Sequence, residues 1–232
     1  MTDIPATPSA TWQWIAHTDA GLALRITLGV VFFACLSLVD LRRHGRRATR
    51  WREHVFLFIA VCIALTYGVI NDQFTSRISW EYFYYGKGLS AILGDHTPPD
   101  SAQLSWEAAK IGLKATWTVG LLVGVAMLMA NNPKLGLPQL TYPALFRKTS
   151  MIFLITFACA ALLGMVGCKG GLTRMSDDFR QMVLRNEDRP YRFMAVYGIH
   201  LGGYVGGTLG TIWAVISVRL GRKALCRAGG KP

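Results

Sequence analysis

Four ionisable residues stand inside or against long apolar stretches of this sequence: Asp72, Glu81, Lys114 and His200. Charged groups at bilayer depth are costly, so such residues are functional candidates. Asp72 closes an apolar run beside Asn71 and Gln73, and Glu81 follows among aromatics. Lys114 and His200 each lie about seven residues into an apolar run from the same membrane face, roughly 10 Å deep at the rise of an α-helix. Equal depth allows a shared site. A histidine with carboxylates can relay protons or act as acid and base, or hold a divalent cation. No HxxxH or ExxH pattern accompanies His200, so no metal site is assigned. Thr75 and Ser79 could supply a hydroxyl nucleophile, but no GxSxG elbow surrounds them.

Spacing refines the candidates. Arg77 and Glu81 stand at i, i+4 and should pair if that stretch is helical, and Glu107 and Lys110 stand at i, i+3. Tyr197, His200 and Tyr204 form one helical stripe, expected to point into the bundle. The candidate ligand pocket is therefore Asp72, Gln73, Arg77, Glu81, Lys114, Tyr197, His200 and Tyr204. Each has a plainer reading: Asp72 can anchor a helix end, Lys114 can snorkel to the interface, and His200 can be a hydrogen-bonded core residue. No residue is assigned a catalytic role, and no cofactor is named.

The elements that position these residues follow from hydropathy. The chain has 232 residues, 52% hydrophobic and 16% charged, against about 25% charged in a soluble domain. Five segments are long and apolar enough for the ~20-residue span of a bilayer: about 21–40, 54–71, 107–130, 148–167 and 193–218. In lipid every backbone polar group needs an internal partner, so these are helices. The expectation is an all-α integral membrane bundle, a single membrane domain over 1–232. The net charge of +12 could suggest nucleic acid. The basic residues sit in short loops beside spans, where they set topology and meet anionic headgroups, so the bilayer is the expected partner and nucleic acid is not. Five cysteines without a CxxC pair carry no zinc or dithiol pattern.

Lys and Arg counts orient the bundle. The 41–53 loop, the 131–148 connection and the tail from Arg219 together hold 14, against eight on the opposite side. The N-terminus is expected outside and the C-terminus inside, in a bacterial cytoplasmic (inner) membrane. The outer segment 72–106 carries Phe74, Trp80, Tyr82, Phe83, Tyr84, Tyr85 and Trp106, read as an interfacial aromatic belt with a short helix and a turn-rich stretch at 94–100. Segment 176–188 reads as a short amphipathic helix with Ser176 as its N-cap.

The fifth span holds Gly198, Gly202, Gly203, Gly206, Gly207 and Gly210, in overlapping GxxxG pairs. Such pairs let helix backbones approach closely. They could form a homo-oligomer seam or a ligand groove. Packing against the chain's own helices is the preferred reading.

The run NDQFTSRISWEYFYYGKG at 71–88 resembles a D-Q-[IF]-T-x-R-x-x-x-E-Y-F motif of an uncharacterised family of bacterial multi-pass membrane proteins. The stretches at 114–135 and 200–210 are similar to other parts of that family, and the pieces together cover about a quarter of the chain. The resemblance implies that Asp72, Gln73, Thr75, Arg77, Glu81, Tyr82 and Phe83 are the family's polar and aromatic positions. Similar sequences have Gly-His where this one has Gly86-Lys87, so any metal site through that histidine would be weakened here. The resemblance implies architecture and no activity.

Three functions remain open. One is an outward-facing polar pocket for an ion, lipid headgroup or small ligand, which requires Asp72, Glu81, Lys114 and His200 to converge. Another is an accessory or assembly subunit of a membrane complex, docking a membrane-protein partner. The third is a membrane-embedded lipid-modifying enzyme, for which neither nucleophile nor metal is evident.

Overall fold

The computed structural model describes residues 18–95, 98–132 and 136–229. Among them there is no strand, and five helices are long and apolar enough to cross a membrane. The long helices are α1 (Asp19–His44), α2 (Trp51–Ile78), α4 (Ser101–Ala130), α5 (Tyr142–Cys168) and α7 (Pro190–Gly229), with short α3 (Ser90–Leu93) and α6 (Asp177–Leu184) between them. Each contains one expected span and runs beyond it. Large apolar side chains such as Leu28, Phe32, Leu122, Leu154 and Leu209 are exposed on these helices. Surface of this kind is untenable in water at such extent and natural against lipid chains. The chain is a multi-pass membrane protein.

Two compact units divide within α2, one ending at Ile59 and one starting at Ala60. In the first, Thr18 caps α1 by accepting the Gly21 amide at 3.0 Å, a contact worth about 1 kcal/mol. Gly45 at φ +51° turns the chain out of α1. Asp40 then fixes the return: one carboxylate oxygen accepts the Trp51 amide at 3.0 Å, the other stands 3.0 Å from His44 Nδ1.

The second unit holds the remainder of α2 with α4, α5 and α7. At one end the connections are aromatic-rich; the other end joins α4 to α5. At that second end Arg222 of α7 is fully buried and donates to four backbone carbonyls: Ala130, Asn132, Leu137 and Pro138. Asn131 completes the clamp, donating to Leu140 O at 3.0 Å and accepting the Leu140 amide at 2.8 Å. Arg222 therefore does more than bias topology: its planar fork satisfies carbonyls left over at a helix end.

The aromatic-rich end departs from the expected belt. Tyr82, Phe83 and Tyr84 are buried in a core with Leu104, Phe179, Met182 and Phe193. Only the flanking Phe74 and Trp106 are strongly exposed in the manner of a belt. The expected turn-rich stretch at 94–100 falls in part outside the described residues. The amphipathic helix appears as α6, where Ser176 Oγ accepts the Phe179 amide at 3.2 Å and Phe179 and Met182 face inward.

Candidate functional site

Small residues at helical spacing create the site. Ala60, Ala64, Gly68 and Asp72 stand four apart on α2 and line a cleft of about 120 Å³. The other walls come from α4, α5 and α7. From Ala60 to Asp72 the cleft follows α2 for about 18 Å. Below its polar end the lining is mostly apolar or small, with Ile111, Gly112, Val123, Ile152 and Gly207, interrupted by the hydroxyls of Tyr67, Thr116, Thr149 and Thr156.

Two close helix pairs hold the walls. A Cβ built on Gly68 would meet Gly112 O at 2.5 Å, and one on Gly112 would meet Gly68 O at 2.5 Å. Only glycine permits this α2–α4 approach. On α7 the glycines divide between two faces. A Cβ on Gly198, Gly202, Gly206 or Gly210 would stand within 3.0 Å of α5, at Leu163 O, Cys159 O, Thr156 Cα and Ile152 Cα. Gly203 and Gly207 instead line the cleft, with their nearest neighbours at 3.4 and 3.9 Å.

The polar end gathers Asn71 and Asp72 from α2, His200 from α7 and Lys87 from the aromatic segment. Asp72 is 3% exposed; its Oδ1 accepts from Asn71 Nδ2 at 3.1 Å and lies 3.7 Å from His200 Nε2. Thr75 Oγ1 lies 3.4 Å from the same Nε2 and donates its own proton to Asn71 O at 2.8 Å. With two acceptors near it, Nε2 carries the imidazole proton. His200 Nδ1 is then an acceptor with no hydrogen-bond partner among the described residues.

A π-helical turn at Tyr82–Gly86 delivers the other groups. The Lys87 amide donates to Tyr82 O at 3.0 Å, the five-residue spacing of a π turn. In an α-helix Lys87 would point well away from Tyr82. Here Lys87 Nζ stands over the Tyr82 ring, 5.5 Å from its centroid. That ring also stacks on His200 at 4.9 Å and 14°, while Phe83 meets His200 edge-on at 6.1 Å. Burial holds the Lys87 ammonium below the usual lysine range, and the Asp72 carboxylate partly offsets this. The turn is itself pinned: Tyr84 Oη donates to Gly94 O at 2.7 Å and Tyr85 Oη to Glu187 at 3.3 Å.

The convergence expected of four groups is found for two. Asp72 and His200 approach one another; Glu81 and Lys114 do not join them. Glu81 is buried but accepts from Ser79 Oγ at 2.6 Å and does not line the cleft. Lys114 is half-buried, and the lining of α4 passes through Ile111, Gly112, Ala115 and Thr116 instead. The expected Arg77–Glu81 pair does not form. Helix α2 ends at Ile78, and Arg77 folds back onto the carbonyl and side chain of Gln73. Gln73 Nε2 bridges to Ser105 O at 2.6 Å, tying α2 to α4. Tyr197 Oη donates to Met175 O at 3.3 Å, and Tyr204 lines the cleft while remaining 56% exposed. Glu107 and Lys110 do pair, at 2.8 Å.

Lys87 and Asn71 belong to the site without having been singled out. Lys87 read only as a substitution for histidine, and a π turn has no compositional signature. Among the described residues no group of three His, Cys, Asp or Glu side chains could hold a metal ion. The lining hydroxyls of Thr116, Thr149 and Thr156 donate to helix carbonyls at Gly112, Leu145 and Ile152. Comparison with protein-family models, characterised proteins and solved structures finds no match.

Proposed function

We propose that this chain is a ligand-binding protein of the bacterial inner membrane, with its N-terminus outside, whose cleft takes an amphiphile: a polar head among Asp72, Lys87 and His200, an apolar tail below. The observation that carries this reading is the cleft's polarity gradient. The charged groups and Asn71 sit at one end, and the rest of the lining is apolar apart from the hydroxyls of Tyr67, Tyr204 and three threonines, the threonines being spent on helix carbonyls. A simple ion would need no 18 Å apolar extension, a length that follows from the helical rise along α2. The side wall supports the same reading. Ala115, Val119 and Tyr204 line the cleft and are exposed on the helix surface, so in a bilayer they meet lipid, and a ligand can enter sideways. The cleft volume of about 120 Å³ suits part of one chain rather than a whole diacyl lipid.

The test is native mass spectrometry of the purified chain released from lipid nanodiscs. The wild type should retain a lipid-sized adduct. Ala115→Trp and Gly207→Leu, which fill the cleft from two helices, should lose it while remaining folded. Equal retention by both folded variants would sink the proposal. Surface labelling of single cysteines at the aromatic-rich end in intact cells tests the orientation, and labelling only after permeabilisation would reverse it.

A further inference from the structure

We infer that the polar end of the cleft recognises a zwitterionic headgroup carrying a primary ammonium and a phosphate, with Asp72 taking the ammonium and Lys87 the phosphate. The inference rests on the amphiphile reading above and narrows it to a ligand class.

Two opposite charges face one cleft and attract across it without forming a direct ion pair. Asp72 and Lys87 both line it, yet no ion pair joins them. Apart from Asn71, the ionisable neighbour of Asp72 is His200 at 3.7 Å. Lys87 has no carboxylate within ion-pair distance among the described residues; its Nζ rests over Tyr82. A partly or fully buried charge without a close partner is costly, and the more distant opposite charge offsets only part of that. An anionic ligand would answer Lys87 and crowd Asp72, and a cationic one would do the reverse. A ligand bearing both signs answers both at once.

The surroundings favour a primary over a quaternary ammonium. A quaternary group needs open aromatic faces. Tyr82 is engaged by His200 and Lys87, and the lining ring of Tyr67 packs against Phe153 and Phe157, which leaves Tyr204 alone among the lining rings without a ring contact in the described residues. A primary ammonium needs acceptors. Asp72 supplies carboxylate oxygens, and His200 Nδ1 is an acceptor without a hydrogen-bond partner among the described residues. The Lys87 ammonium, a compact point charge, suits a phosphate.

The chemistry is shared by an ethanolamine phospholipid and by free phosphoethanolamine. The experiment uses the full-length protein, delipidated in neutral detergent, and measures adduct retention by native mass spectrometry. The probes are phosphatidylethanolamine, phosphatidylcholine and phosphatidylglycerol of identical chains, with soluble phosphoethanolamine as competitor. A charge-assisted hydrogen bond to Asp72 should give the ethanolamine lipid an advantage of about tenfold over each of the others. In Asp72→Asn the preference over phosphatidylglycerol should vanish. In Lys87→Met, a half-buried position that folding should tolerate, retention of the ethanolamine lipid should fall by about tenfold. Displacement by millimolar phosphoethanolamine would support the assignment with a water-soluble ligand as its source; retention against it supports the lipid. Equal retention of all three lipids by the wild type would overturn the headgroup assignment and leave the amphiphile reading standing. Retention of none would overturn both.

Discussion

Lys87 stands above Tyr82 because a single π turn closes between them: its amide bonds the Tyr82 carbonyl at 3.0 Å and its ammonium lies 5.5 Å from the ring centroid. Tyr82 in turn stacks on His200 of α7. A connection outside the long helices thus sets the charge at the mouth of a cleft within them. The wide π turn is an uncommon element, frequent at functional sites.

This arrangement gives a pH dependence. Lys87 must be protonated to hold an anion. Burial depresses its pKa, and the Asp72 carboxylate raises it back in part. Retention of phosphatidylglycerol, whose own charge is constant in the alkaline range, should be full well below the Lys87 pKa. It should be lost as pH rises through that pKa, earlier than an ordinary lysine near 10.5 would allow. Asp72→Asn removes the raising charge, so its alkaline limb should move to lower pH. Retention against pH for the two proteins checks this, and a limb moving upward contradicts the assignment.

Glu81 and Lys114 provide the controls. Glu81 is engaged by Ser79, and neither residue lines the cleft. Glu81→Gln keeps an acceptor for Ser79 and should cost about 1 kcal/mol. Neither Glu81→Gln nor Lys114→Met should alter lipid retention per folded molecule. A loss matching that of Lys87→Met in either variant would show that the polar end extends beyond the residues placed there.

Arg222 predicts a stability effect remote from the site. Lysine keeps the charge but has three donors on one nitrogen, which cannot reach four carbonyls spread over Ala130–Pro138. Arg222→Lys should destabilise by about 3 kcal/mol, since buried acceptors lose their donor. That corresponds to a fall in Tm of roughly 6–12 °C for a chain of this size. Thermal unfolding in detergent measures it, and a fall under 2 °C, on the order of a surface substitution, would show that the clamp contributes little.

The helices were legible because apolar length needs no tertiary information. Position around a helix did need it. Lys114 and His200 lie at matching depths, but depth fixes only one coordinate, and Lys114 falls off the face that Ile111 and Ala115 turn to the cleft. Arg222 read as one more basic residue in a tail, because its carbonyl partners lie 84 to 92 positions away. Lys87 was hidden by the π turn. The aromatic segment read as a belt, since burial of Tyr82 to Tyr84 depends on Phe179, Met182 and Phe193, which arrive from distant sequence.

The glycines of α7 separate packing from binding. Gly202 and Gly207 belong to the same GxxxG-rich helix but face different neighbours. A Cβ on Gly202 would meet the α5 backbone at Ala160 Cα, 2.5 Å away, where nothing can move without displacing a helix. Gly202→Leu should therefore cost more than the 1–3 kcal/mol of ordinary overpacking, or about 4 kcal/mol. A Cβ on Gly207 has nothing nearer than Thr156 Oγ1 at 3.9 Å, so Gly207→Leu should stay within about 1 kcal/mol of the wild type. Its side chain would occupy the cleft, so lipid retention should fall while the fold persists. Parallel melts and mass spectra of the two variants decide the matter: if Gly207→Leu unfolds as readily as Gly202→Leu, the space beside Gly207 is packing rather than a binding cleft.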